Sequence, residues 1–345
     1  MTDIQKLIRK NILTLHPYSS AREEYKGDEG ILLDANENPF NGPYNRYPDP
    51  VQKSLKAKIS VVKNCSVENI FLGNGSDEPI DLLIRAFCEP SEDNIVAMDP
   101  TYGMYQVAAD INNVEYKKVL LTESFQLEAD RLLNAVNKKT KLIFLCSPNN
   151  PTGNLLDREQ IIKIINEFSG LVILDEAYID FSIQPGFLVN LKTYQNLVVL
   201  QTFSKAWGMA SIRLGMAFAD PQIIAVLNKI KYPYNLNLLT QQFALKDLDN
   251  IERVENWIKN IISQKLILTT KLKELPVIQK VYPSNANFIL VKVENPDRVY
   301  KYLLNKKIIV RNRSSVSLCI GCLRITIGSE DENKILIDAL KHFNG

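Results

Sequence analysis

The sequence predicts an α/β fold: a large domain with a central, mostly parallel sheet and helices on both faces, plus a smaller α+β domain. The first observation is a series of short apolar runs rich in Ile, Val, Leu and Phe at residues 69–72, 94–98, 142–145, 171–174 and 197–201. Continuous apolar strands of this kind are buried on both faces. The second is the amphipathic helices between them, such as 79–87 and 158–168, the latter gathering Ile161, Ile162, Ile164 and Ile165 near one side. Strands alternating with helices are the pattern of a parallel sheet. The third is a change of character after Tyr234. A long helical stretch, about 241–275, carries Leu245, Leu248, Ile251, Val254, Ile258 and Ile261 at three-to-four spacing and is expected to bridge two domains. Beyond it lie strands at 288–293, 308–311 and 323–327 and helices at 296–305 and 331–343. We expect residues 46–245 to form the large domain, with 1–45 and 246–345 as an N-terminal arm and small domain. The stretch 36–50 is rich in Pro and Asn and reads as an extended arm.

Bulk composition narrows the function. With 345 residues, 46% hydrophobic and 23% charged, the chain can build two cores. Its 41 basic and 39 acidic residues leave a formal charge of +2, which gives no electrostatic reason for a nucleic-acid or membrane partner. The amino terminus interleaves Asp3, Lys6, Arg9 and Lys10 with apolar residues, unlike a signal peptide, and no run is long enough to span a bilayer. Five cysteines, an odd count in a chain of this size, fit a reducing cytoplasm. With only His16 and His342, a histidine-based metal site or serine-histidine triad has too few ligands. Cys319 and Cys322 form one CxxC pair with no second pair, and we read it as inert.

The chemistry concentrates in loops after the apolar strands. In Thr202-Phe-Ser204-Lys205, a lysine follows a strand and Arg213 comes eight residues later. A buried amine has a lowered pKa and can form a Schiff base with an aldehyde, while Ser204 and Arg213 offer a hydroxyl and a bidentate fork to a phosphate. A surface lysine and an ion-paired arginine would look the same in isolation. Asp175 ends the strand at 171–174, where open α/β sheets gather ligands; it suits either a protonated pyridine nitrogen or a helix cap. Tyr178 follows three residues later as a donor. Ser147-Pro-Asn-Asn150-Pro-Thr-Gly153 supplies another donor, Asn150, from a loop stiffened by two prolines. Gly73-Asn-Gly75-Ser76-Asp77-Glu78 joins a strand to a helix start suited to a phosphate. Glu78 stands where a dinucleotide fingerprint needs its third glycine, which argues for a single terminal phosphate. Tyr102 can lie on a ring or be an ordinary buried tyrosine.

Taken together, these loops resemble the type I aminotransferases, whose cofactor is pyridoxal 5'-phosphate (PLP), from about Leu15 to the end of the chain. The resemblance implies the PLP-dependent transferase type I fold. It implies Lys205 as the Schiff-base lysine, Asp175 at the pyridine nitrogen, Asn150 and Tyr178 at the phenolic oxygen and Tyr102 on the ring. Gly75, Ser76, Asp77, Ser204 and Arg213 would meet the phosphate. Within the family, the segments around Tyr18 and Arg22, Asn36-Glu-Asn-Pro39, Arg46-Tyr47-Pro48 and Gly321-Cys-Leu-Arg324 are similar to those of the subfamily that acts on histidinol phosphate. By that resemblance Tyr18, Asn36, Arg311 and Arg324 face the substrate, and Tyr47 reaches the cofactor phosphate of a second subunit in a homodimer. The small-molecule substrates implied are histidinol phosphate, glutamate and 2-oxoglutarate. An aromatic amino-acid aminotransferase or a phosphothreonine-type decarboxylase would use the same cofactor loops. Ala210-Ser211 replaces a glycine common in relatives.

Overall fold

The structure is a computed structural model that describes residues 3–18 and 30–343. Seven strands form the large sheet: β1 (Ile70–Asn74), β2 (Asn94–Asp99), β3 (Glu115–Leu120), β4 (Thr140–Cys146), β5 (Leu171–Asp175), β6 (Leu197–Thr202) and β7 (Leu214–Phe218). Their order is β1-β7-β6-β5-β4-β2-β3, and only β7 runs antiparallel to its neighbours. The parallel pairs place the carboxyl ends of β4, β5 and β6 side by side, with Cys146 opposite Asp175 and Asp175 opposite Leu200. Every residue of β5 and β6 is buried. Helices cover the sheet, among them Asp77–Phe87, whose Ile80, Leu83, Ile84 and Phe87 are buried, and Arg158–Glu167, which buries Ile161, Ile164 and Ile165.

A second sheet of four antiparallel strands has the order β10-β11-β9-β8, from β8 (Ile278–Val281), β9 (Phe288–Val293), β10 (Arg311–Asn312) and β11 (Cys322–Thr326). Side chains alternate faces along a strand, and the alternation here sorts two cores. Phe288, Leu290 and Cys322 join the apolar cluster of the large sheet. Ile289, Val291, Leu323 and Ile325 join a second cluster with Leu268, Leu272, Val299 and Leu303. The helix Ile251–Lys273 feeds both, through Val254 at one end and Leu268 and Leu272 at the other.

Two expectations change. The helical stretch expected over 241–275 is two helices, Leu238–Asp247 and Ile251–Lys273. Leu248 and Ile251 keep the apolar spacing across the break, which concealed it. The strand expected at 308–311 is short and late, only Arg311–Asn312. Strands β3, β7 and β8 were not expected: β7 is short, apolar and buried, whereas β3 is an edge strand with charged residues, and edges tolerate such sequences.

Candidate active site

Five segments converge on a cleft of about 480 Å³ at the carboxyl ends of the parallel strands. Its walls are Gly75, Ser76, Asp77, Tyr102, Cys146, Asn150, Asp175, Ala177, Tyr178, Thr202, Ser204, Lys205 and Arg213. Ten of the residues singled out in the sequence therefore meet in one place.

Asp175 forms the floor. It is buried, accepting from Tyr105 Oη at 2.7 Å and from the Ala177 amide at 3.0 Å. Burial raises its pKa, and these two hydrogen bonds oppose the rise by favouring the anion. Tyr105 is fully buried in the helix Met104–Ile111, stacked on Phe144 with ring centroids 4.8 Å apart. Its partnership with Asp175 joins residues 70 positions apart, so no local pattern signalled it.

Lys205 lies three residues beyond β6, with Nζ 5.6 Å from the centre of the Tyr178 ring. Burial, then the Arg324 charge, lowers its pKa; Arg213 adds to this, while Asp175 and Asp77 pull the other way. Thr202 shapes the turn, because its Oγ1 accepts from the Ser204 amide at 3.1 Å.

At one end of the cleft Gly75 (φ +72°) precedes Ser76, the N-cap of Asp77–Phe87. A Cβ on Gly75 would stand 2.5 Å from Arg213 Nη2 and push the guanidinium aside, and the positive φ itself favours glycine. Asp77 receives Tyr102 Oη at 3.0 Å and Arg213 Nη2 at 3.4 Å. At the other end Asn150 Nδ2 approaches Tyr178 Oη at 3.5 Å, and the Arg324 guanidinium donates to Asn150 Oδ1.

The remaining candidates lie elsewhere. Arg324 contacts the cleft through Asn150 and stands over Phe288, its guanidinium carbon 5.1 Å from the ring centre. Arg311 pairs with Arg324 across β10 and β11 and is exposed. Tyr47 stacks on Tyr234 with centroids 4.4 Å apart, and with Asn36 it lines a separate groove. Tyr18 is 71% exposed. Cys319 and Cys322 are free, buried thiols with raised pKa values, Cys319 pushed up to about 12 by burial. Among the described residues no group of three metal-ligating side chains occurs.

The family model for aminotransferase class I and II matches residues 24–340. The chain belongs to that family. Histidinol-phosphate aminotransferase of Bacteroides thetaiotaomicron is 59% identical over 346 residues, covering all of both chains. The crystal structure of histidinol-phosphate aminotransferase from Clostridium acetobutylicum superposes with a TM-score of 0.80 at 25% identity, covering 86% of this chain and 90% of that one. L-threonine-O-3-phosphate decarboxylase from Porphyromonas gingivalis shares the fold, with a TM-score of 0.73, 21% identity and coverage of 86% and 90%.

The family's cofactor is PLP, and the cleft fits it on its own geometry. Ser204 Oγ is shielded from solvent without a hydrogen-bond partner. The Ser76 hydroxyl does not cap its helix, which leaves both hydroxyls for a phosphate beside Arg213. A buried carboxylate and an amine of lowered pKa border the same space.

Proposed function

We propose that the protein transfers the amino group of histidinol phosphate to 2-oxoglutarate, giving glutamate, as a cytoplasmic step of histidine biosynthesis. The observation that carries the reaction type is the meeting of Lys205 and Asp175 in one cleft with the unpartnered Ser204 hydroxyl. The substrate reading rests on full-length similarity to the Bacteroides enzyme and on Arg324 at the cleft's edge.

Bound PLP supplies a protonated pyridine ring that withdraws electrons from the substrate's α-carbon. Everything else is done by the chain. Gly75, Ser76, Asp77, Ser204 and Arg213 hold the phosphate, and Tyr102 covers the ring. Asp175, whose anion Tyr105 Oη and the Ala177 amide favour against the effect of burial, would hold the proton on the pyridine nitrogen. Asn150 and Tyr178 donate to the phenolic oxygen. Lys205 would hold the cofactor's aldehyde, and its free Nζ would serve as the base that takes the proton from the substrate α-carbon. A lowered pKa suits that work, since it leaves more of the amine unprotonated at neutral pH. Tyr18, Asn36, Arg311 and Arg324 serve the substrates, Arg324 taking a carboxylate in one half-reaction and a phosphate ester in the other. Residues 46–245 would form the cofactor-binding domain, and 1–45 with 246–345 the arm and small domain, in keeping with the two apolar clusters.

Initial rates of 2-oxoglutarate-dependent turnover with histidinol phosphate and with phenylalanine test the substrate. Histidinol phosphate should be strongly preferred. Preference for phenylalanine, or carbon dioxide release from a phosphothreonine-type amine precursor, would replace this reading with an aromatic aminotransferase or a decarboxylase.

The active protein is proposed to be a homodimer in which Tyr47 reaches the partner's cofactor phosphate; Tyr47 is 50% exposed and lies outside its own cleft. Mixed dimers of Lys205→Ala and Tyr47→Ala chains check this. One site then holds an intact Lys205 and Tyr47, and activity should rise above the mean of the parent homodimers. No gain, with mixed dimers verified by mass, would refute a shared site.

A further inference from the structure

Beside Arg311 and Arg324, a third guanidinium occupies the same face of the small sheet. Asn312 pairs with Leu323, and the Arg313 amide donates to the Cys322 carbonyl at 2.9 Å, so the ladder continues one step past β10. Strand alternation then sets Arg313 on the face of Arg311, and cross-strand neighbours share a face, which adds Arg324 and Cys322. That is the face of Cys322 and Leu290, which packs toward the large-domain core and the cleft.

Like charges directly across a strand pair are destabilising, and an isolated cluster of three cations needs a counter-charge. Among the described residues no Asp or Glu forms an ion pair with Arg311, Arg313 or Arg324. Arg313 Nε is shielded from solvent and has no hydrogen-bond partner. A buried donor left unpaired costs stability, so a structural arginine would be expected to satisfy it. Burial, then the Arg324 and Arg311 charges, brings the Arg313 pKa down to about 10, while Cys319 and Tyr178 pull the other way. Burial raises the pKa of the Tyr178 hydroxyl, which borders the cleft, and the Arg324 and Arg313 charges oppose that rise.

We propose that Arg313 is a third ligand for the substrate's distal anion and sets the preference for a doubly charged phosphate monoester over a carboxylate or an uncharged side chain. This rests on the proposed substrate class and deepens it. Two guanidiniums match a carboxylate; a phosphate dianion presents three oxygens and about twice the charge, which a third planar fork can engage.

The experiment is steady-state kinetics of the holoenzyme and its Arg313→Gln and Arg313→Lys variants with histidinol phosphate and glutamate, together with inhibition by inorganic phosphate. Arg313→Gln should raise KM for histidinol phosphate by about tenfold or more, the loss of a charge-assisted contact. Its kcat and the KM for glutamate should stay within about threefold, because the reacting centre is untouched. Arg313→Lys should lie between, and inhibition by inorganic phosphate should weaken in parallel with KM. An unchanged KM for histidinol phosphate, or equal loss with both substrates, would overturn the role of Arg313. If the unaltered enzyme does not use histidinol phosphate, the substrate reading fails. Phosphate inhibition then judges Arg313 alone: weaker inhibition of the variant supports it, and equal inhibition overturns it.

Discussion

On the large-domain side of the cleft the carboxylates and the Asn150 amide are already engaged: Asp175 with Tyr105 and Ala177, Asp77 with Tyr102 and Arg213, Asn150 with Tyr178 and Arg324. On the small-domain side Arg311, Arg313 and Arg324 share a sheet face with no acidic partner among the described residues. The first arrangement grows from buried parallel strands whose ends cannot shift without disturbing the core, and in the proposed function it would pre-set the cofactor's protonation and position. The second leaves charge uncompensated, and in the proposed function the substrate would compensate it. A fixed half for chemistry and an anion-hungry half for recognition is a division that substitutions on the two sides can separate.

The largest effect is expected at the fixed half. Asp175→Asn removes the buried carboxylate proposed to hold the pyridinium proton, and breaking a buried charge pair costs about 3 to 5 kcal/mol. Applied to the barrier, that lowers kcat by at least a hundredfold while KM for both substrates changes little. Near-normal kcat would remove Asp175 from the chemistry. On the recognition half, Arg324→Ala should weaken use of both histidinol phosphate and glutamate, each by about 1.5 to 3 kcal/mol in kcat/KM. Arg311→Ala should cost histidinol phosphate similarly and spare glutamate. Equal losses with both substrates in both variants would end that division of labour.

A separate effect concerns stability rather than turnover. Glu176, the residue after β5, is buried and accepts from the Phe187 amide at 2.6 Å and from Gln201 Nε2 at 3.0 Å, yet burial pushes its pKa up to about 7. An acid with a raised folded-state pKa contributes stability in full below its unfolded value, and loses it as pH rises through the folded value. The protein should therefore lose up to roughly 3 kcal/mol between about pH 4.5 and 7 from this group. Glu176→Gln should flatten that part of the melting-temperature profile without altering the substrate preference. An unchanged profile would show that Glu176 does not titrate there.

The fixed half was the more legible in sequence, for a physical reason. Strands buried on both faces must be continuously apolar, so residues 94–98 and 171–174 stand out, and the loops that end them carry Lys205, Asp175 and Asn150 in short runs. Residues whose role depends on distant partners were silent. Tyr105 meets Asp175 only after the helix Met104–Ile111 packs on the sheet, and Arg313 joins Arg324 only through the β10–β11 pairing. Edge strand β3, with Lys117 and Lys118, does not have to look apolar. The break between the helices Leu238–Asp247 and Ile251–Lys273 was hidden because its flanking residues keep helical spacing.

Everything assigned to the fixed half depends on Lys205 being the residue that binds PLP. Borohydride reduction of the holoenzyme followed by peptide mapping reads this directly, since it makes the linkage permanent. The label should fall on Lys205 alone, and Lys205→Ala should keep the far-ultraviolet circular dichroism of the parent while taking up no covalent label. A label on any other lysine, or covalent labelling of Lys205→Ala, would contradict the account.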